Sequence, residues 1–347
     1  MPRRARIDFE GVENLERSRK ALHHVMVRGL ERREIFQDDQ DRESFLNRLV
    51  IALESTEATC HAFALMPNHV HLLITSGKAK ISLAMQILLT RYAGYYNWRH
   101  HRSGRLFQNR FKSILCDKDA YFLALVRYIH LNPLSAGIVP DLGKLDKYQW
   151  TGHAVYMGRQ KRTWLATRPV LRQFGRDPKA TRRDYRKFIQ AGVAEGIRED
   201  LRGGGLIRSM GGTWEVVKAS RRGDKERGDE RILGSGAFVE EVLKATQTKE
   251  KALSALQRKG WDFDKVLAHA ARTVGLKPAD LLRRGHANAR SRGRALVCKW
   301  MTVDLCESYV RVGARLGISR QSVTRRADIG RRIERELKVS LQEQAGS

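Results

Sequence analysis

The chain has little of what would place it outside a cell or across a membrane. Four cysteines stand in 347 residues, Cys60, Cys116, Cys298 and Cys306, widely spaced and with no Cys-x-x-Cys pair. That spacing argues against a zinc ribbon and against a disulfide framework. No apolar run approaches the roughly 18 residues that a membrane helix needs. The opening stretch, MPRRARIDFEGVENLERSRK, is charged throughout and lacks the apolar core of a secretory signal. Acidic residues are scarce too: 38 Asp and Glu against 66 Lys and Arg give a net charge of +28 and a pI near 10.5. These shortages predict a soluble protein of the reducing cytoplasm. The surplus of cations predicts a polyanionic partner, nucleic acid first. A membrane surface would call for an amphipathic anchor, and none is evident.

What is present falls into three blocks, residues 1–160, 161–230 and 231–347. In the first, HHVMVRG reads as a strand closed by Gly29, and DDQDRESFLNRLVIALEST as a helix with acidic residues in its first turn. ATCHAFALM and HVHLLIT are strands on either side of the turn pair Pro67-Asn68. ISLAMQILLTRYAGYYNWRHH is a helix, FQNRFKSILC a strand, and KDAYFLALVRYIHLNPL a helix closed by Pro133. The order β-α-β-β-α-β-α predicts an α+β fold, a ferredoxin-like sheet with helices on one face. In the middle block TRRDYRKFIQAGVAEG looks helical, while RGGGLIRSMGG and SRRGDKERGDE read as a flexible connection. From RILGSGAFVEEVLKATQ onward the pattern is helical, predicting an all-α domain.

The strand HVHLLIT carries the first candidate chemistry. With a period of two, His69 and His71 share one sheet face and Val70 takes the other. Two imidazoles so placed are half of a divalent-metal site, or equally two histidines on a solvated face. In the helix that follows, Phe122, Leu125, Val126 and Ile129 form an apolar stripe at about 100° per residue. Tyr128 and Asn132 stack on one flank of that stripe, with Tyr121 seven residues before Tyr128. The helix could present a phenol and a carboxamide to the histidines. Equally, Tyr128 could be a boundary aromatic and Asn132 a helix-end residue before Pro133.

Four segments in order, HHVMVRGLERREIFQDDQDRESFL, HAFALMPNHVHLLI, GRLFQNRFKSILCDKDAYFLALVRYIHLNPLSAGIV and YQWTGHAVYMG, resemble the single-tyrosine transposases of the His-hydrophobic-His (HUH) class. They look most like the REP-associated branch, over roughly residues 20–160. The resemblance implies a metal-dependent transposase or nickase that cuts and rejoins single-stranded DNA through a 5′-phosphotyrosine link, at hairpin or repeat sequences. It makes Tyr128 the nucleophile, with Tyr121 as the alternative if the helix aligns differently. His69 and His71 become metal ligands, and Asn132 stands where a third polar ligand belongs. His24 matches a recurrent position without an assigned role. The cation would be Mg²⁺ or Mn²⁺, since hard phosphate oxygens and imidazoles suit both. Relatives of this kind act as monomers or as homodimers.

The stretch RYAGYYNWRHHRSGRLFQNRFKS interleaves Arg91, Arg99, Arg102, Arg105, Arg110 and Lys112 with Tyr92, Tyr95, Tyr96, Trp98, Phe107 and Phe111. Cations serve phosphates and rings stack on unpaired bases, so the mixture fits single-stranded or hairpin DNA. Part of the aromatic set must be core, and Arg110 and Lys112 are the cations expected to touch DNA. In the tail, YVRVGARLG and SRQSVTRRADIGRRI form a helix-turn-helix pattern turned at Gly317 and capped by Ser319. Arg320, Gln321, Thr324 and Arg325 would face a major groove and hold flanking duplex. This tail resembles the C-terminal DNA-binding domain of the DnaA initiator, although GISRQSV lacks that family's Asp and His. The competing function is a non-enzymatic, sequence-specific DNA-binding protein that keeps the transposase fold.

Overall fold

The structure, a computed structural model, describes residues 21–195, 201, 229, 231–283 and 288–341. The charged N-terminal stretch and nearly all of the Gly-rich connection lie outside the described residues. The chain divides into two compact units, Met1–Lys244 and Ala245–Ser347.

The first unit is built on β1 (Leu22–Arg28), α1 (Asp39–Thr56), β2 (Thr59–Met66), β3 (His69–Thr75), α2 (Ile81–Arg99), β4 (Lys112–Cys116) and α3 (Lys118–Ser135). The β-α-β-β-α-β-α order is the one expected from the sequence. The strands lie in the order β2-β3-β1-β4, all antiparallel. The sheet differs from a one-sided ferredoxin-like floor in being buried on both faces. Val25, Val27, Phe63, Leu65, Val70, Leu72 and Ile74 fill one face, and Leu22, His24, Ala62, Ala64, Leu73 and Ile114 the other. Strands that are apolar at both alternations are those covered on both sides. The second face carries α3, whose Phe122 ring meets the His61 ring edge-on at 5.0 Å. α1 and α2 join through the Phe36, Phe45 and Tyr92 rings, with Tyr92 Oη donating to the Ile35 carbonyl.

Pro133 does not close α3. The helix runs on to Ser135, and the Asn132 and Pro133 carbonyls accept from the Ala136 and Ile138 amides to finish the last turn. Beyond it, α4 (Pro178–Ala194) starts at Asp177, whose carboxylate accepts from the Ala180 amide at 2.6 Å. α4 lies along α3: Gly192 leaves room for the Arg127 side chain, which reaches Glu195 at 2.6 Å. A fifth strand, β5 (Ile232–Leu233), pairs parallel with β4. With the start of α5 (Gly236–Arg258) it forms a small apolar cluster of Ala21, Leu115, Ile232, Val239 and Val242. These contacts carry the first unit well past residue 160, to Lys244.

The second unit is all-α, with α6 (Phe263–Thr273), α7 (Asn288–Lys299), a wide π turn at Trp300–Asp304, α8 (Tyr309–Leu316) and α9 (Arg320–Leu337). Its core holds Leu296, Trp300, Val312, Val323 and Ile333. Gly330 lets α9 approach α7 closely, since a methyl group there would strike the Ala295 carbonyl. The Trp300 indole donates to the Glu334 carboxylate at 2.7 Å, which Lys299 also reaches.

Candidate active site

β3 places His69 and His71 on the face that carries α3, as their spacing demands. The two rings stand edge-on with centroids 5.2 Å apart. His71 is 6% exposed, whereas His69, at the strand's start, is half-buried. His69 Nδ1 lies 2.6 Å from the Asn68 side-chain oxygen, so it carries the proton, and Nε2 is the nitrogen with the lone pair. His24, from the adjacent β1, stacks on His71 with centroids at 5.2 Å and sets its Nε2 3.0 Å from His71 Nδ1. For His71 to offer a lone pair at Nε2, its Nδ1–H must donate to His24. In that arrangement His24, left without a role by the sequence, fixes the His71 tautomer.

Tyr128 comes down onto this group from α3. Its ring is 5.8 Å from the His24 ring and 5.8 Å from the His71 ring, edge-on to both. Asn132, one turn later, donates its side-chain amide to the Tyr128 carbonyl at 2.9 Å. Tyr121 sits in the first turn of α3, partly buried against the core. Two imidazoles and an amide oxygen are a donor set that suits Mg²⁺ or Mn²⁺. Among the described residues no group of three or more His, Cys, Asp or Glu side chains is placed to hold a metal ion.

The far side of α3 is held by polar groups in the core. His130, fully buried, meets the Tyr185 hydroxyl of α4 at 2.6 Å, and His153 meets the same hydroxyl at 3.1 Å. His153 Nε2 is 2.8 Å from Asp146, whose second oxygen takes Arg186 at 2.8 Å. One proton arrangement satisfies the chain. His153 donates to Asp146, Tyr185 donates to His153, and His130 donates to Tyr185, leaving His130 Nε2 as a bare lone pair with no partner. Burial holds the His130 pKa well below its ordinary value, which keeps the ring neutral. Gly152 is required here, because a Cβ would lie 2.6 Å from His130 Nε2.

The expected nucleic-acid cations divide. Lys112 begins β4 opposite Met26, itself opposite His71, so it is in the row of the histidines on their face. Arg110 is exposed just before it. Arg99 is committed elsewhere, to Asp38 and Asp41 at 2.6 Å each. Of the aromatic set, Tyr92, Tyr96 and Phe111 are buried, while Trp98 is 79% exposed. Sequence reasoning missed Arg28, exposed and directly opposite His69 across the β1–β3 ladder. Counting in twos from His24 along β1 would have found it.

In the second unit, α8 ends at Gly317 with φ +63°, and Ser319 caps α9 by accepting from the Ser322 amide at 3.2 Å. Arg320, Gln321 and Arg325 are exposed on α9, whereas the half-buried Thr324 turns its hydroxyl onto the Arg320 carbonyl at 3.2 Å.

Residues 18–132 match the family described as "Transposase IS200 like", over about a third of the chain. No curated protein matches the chain. A solved structure titled "Structure of the REP associates tyrosine transposase bound to a REP hairpin" is 14% identical, covers 48% of this chain and 98% of its own, and has a TM-score of 0.36, a likeness too loose to carry weight. Among the described residues no helix is long and apolar enough to cross a membrane.

Proposed function

We propose that the first unit is a single-tyrosine DNA strand transferase of the REP-associated kind, acting on single-stranded or hairpin DNA. The observation that carries the reading is the Tyr128 ring 5.8 Å from the His71 ring, on the face His69 shares. Tyr128 Oη attacks a backbone phosphorus and gives up its proton. An Oη–P bond forms as the P–O3′ bond breaks, and the 3′ oxygen takes a proton and leaves as a hydroxyl. The 5′-phosphotyrosine keeps the phosphodiester's bond energy, so a 3′ hydroxyl can reverse the step and reseal a strand. His69 and His71 would hold the divalent cation, Mg²⁺ or Mn²⁺, with the amide oxygen of Asn132; bound there, it stabilises charge developing on the phosphate oxygens. Lys112 and Arg28 face the same row and suit the neighbouring phosphates, with Arg110 beside them.

The second unit then holds flanking duplex through Arg320, Gln321, Thr324 and Arg325 on α9. Labelled single-stranded DNA with Mn²⁺ or Mg²⁺ tests the chemistry. Wild type and Tyr121→Phe should form a covalent adduct, and Tyr128→Phe should not. An adduct that survives in Tyr128→Phe and vanishes in Tyr121→Phe would move the nucleophile two turns along the same flank of the helix. No adduct from any of the three favours the non-enzymatic DNA-binding reading.

A further inference from the structure

Residues 157–187, MGRQKRTWLATRPVLRQFGRDPKATRRDYRK, lie beyond the segment that matches the transposase family and are its most basic neighbour in the chain. They fold into a short helix, Arg168–Leu171, then a turn, then α4. Between these elements opens a cavity of about 800 Å³ lined by Arg168, Arg172, Arg176, Arg182 and Thr181. All four arginines are exposed, and none has an ion-pair partner among the described residues. The acidic groups nearby are occupied: Asp177 caps α4 through the Ala180 amide, and Asp184 takes Arg183 and Lys187.

Thr181 marks the cavity as a site rather than a loose cluster of charge. It is 5% exposed, lines the cavity, and its hydroxyl has no hydrogen-bond partner. A buried hydroxyl is ordinarily satisfied, so a group entering the cavity is the partner it lacks. Four guanidinium forks against one capping carboxylate select an anion, and their planar donors match phosphate oxygens in pairs. Arg168, Arg172 and Arg176 recur every four residues along the chain. The open cavity is far larger than one phosphate, which suits a run of linked phosphates over a lone ion.

We propose that this basin grips the backbone phosphates of a DNA stem beside the strand being cut, an inference that rests on the transferase reading of the first unit. α4 is tied to α3 through Tyr185–His130 and through Glu195–Arg127, so a stem held at its start is registered against the helix that carries Tyr128.

The test is the salt dependence of hairpin-DNA binding by the full chain. Arg172→Ala/Arg176→Ala should make the log–log slope shallower by about 1.8, at about 0.9 per duplex phosphate released, while Arg172→Lys/Arg176→Lys keeps most of it. Both pairs change exposed residues, and unaltered melting temperatures would exclude misfolding. An unchanged slope in the alanine pair overturns the proposal. A melting-temperature rise with inorganic phosphate that the alanine pair abolishes, together with an unchanged DNA slope, would also overturn it and assign a small-anion site instead. Adduct formation on a short single strand, measured in the same wild-type preparation, reports on Tyr128 alone. Its failure would sink the transferase reading while the slope comparison still reports on the basin.

Discussion

Six histidines of the first unit, His23, His24, His61, His71, His130 and His153, are buried, and several bond to one another's partners. In the second unit α9 turns Arg320, Gln321 and Arg325 outward, while Arg294, buried between helices, donates to the Leu316 carbonyl at the end of α8. On the proposed reading the difference is one of division of labour. A covalent step needs side chains fixed to a fraction of an ångström, which a doubly covered sheet provides. Gripping a duplex needs long cations free to follow a groove, which an exposed helix provides.

The largest effect should separate the two units outright. Tyr128→Phe should lower adduct yield about 10⁴-fold or more, as loss of a covalent nucleophile does, and leave duplex affinity unchanged. Next comes truncation. Removal of Ala245–Ser347 should weaken binding of flanking duplex yet keep cleavage of a short single strand. Cutting at residue 231 should also lower the melting temperature of the first unit, because β5 and the start of α5 go with it. Equal loss of both activities on cutting at 245 would break the comparison.

Smaller effects sharpen it. Tyr185→Phe strips a hydrogen-bond partner from two buried imidazoles and should cost about 1–3 kcal/mol in chemical unfolding. Arg320→Ala/Arg325→Ala should leave adduct formation intact and make the duplex salt slope shallower by about 1.8. The last is a pH effect. Burial lowers the pKa of His23 and of His61 to about 4, with the Lys118 charge adding to the effect on His61. Their folded-state values lie below the unfolded value near 6.5, so the stabilisation is complete above that pH and is lost as pH falls toward 4. The melting temperature should therefore drop across that window, and His61→Gln should flatten part of the drop. An identical slope in the variant would remove His61 from the account.

The sequence made the order of elements in the first block, the shared face of His69 and His71, and the Tyr128–Asn132 flank legible, because all three follow from periods of 2 and 3.6 within single elements. It did not make β5 legible: two residues are too few for a period, and their partner β4 is over a hundred positions earlier. Nor did it reveal the second covering of the sheet, since which helix lies on which face is decided by packing between distant elements. Arg99 shows a third kind of miss. Its spacing suited DNA, but Asp38 and Asp41, some sixty residues away, hold it, and the Arg99 guanidinium keeps the Asp38 carboxyl well below the usual range.

The amides of Leu115 and Asp117 on the outer side of β4 find their acceptors only at Arg231 and Leu233. A ribosome making about 5–20 residues per second supplies that segment several seconds after β4 itself. During that interval the nascent sheet carries a raw rim able to pair with another chain's strand. Synthesis that stalls short of residue 233 should yield sticky, aggregation-prone fragments even though His69, His71 and Tyr128 have already been made.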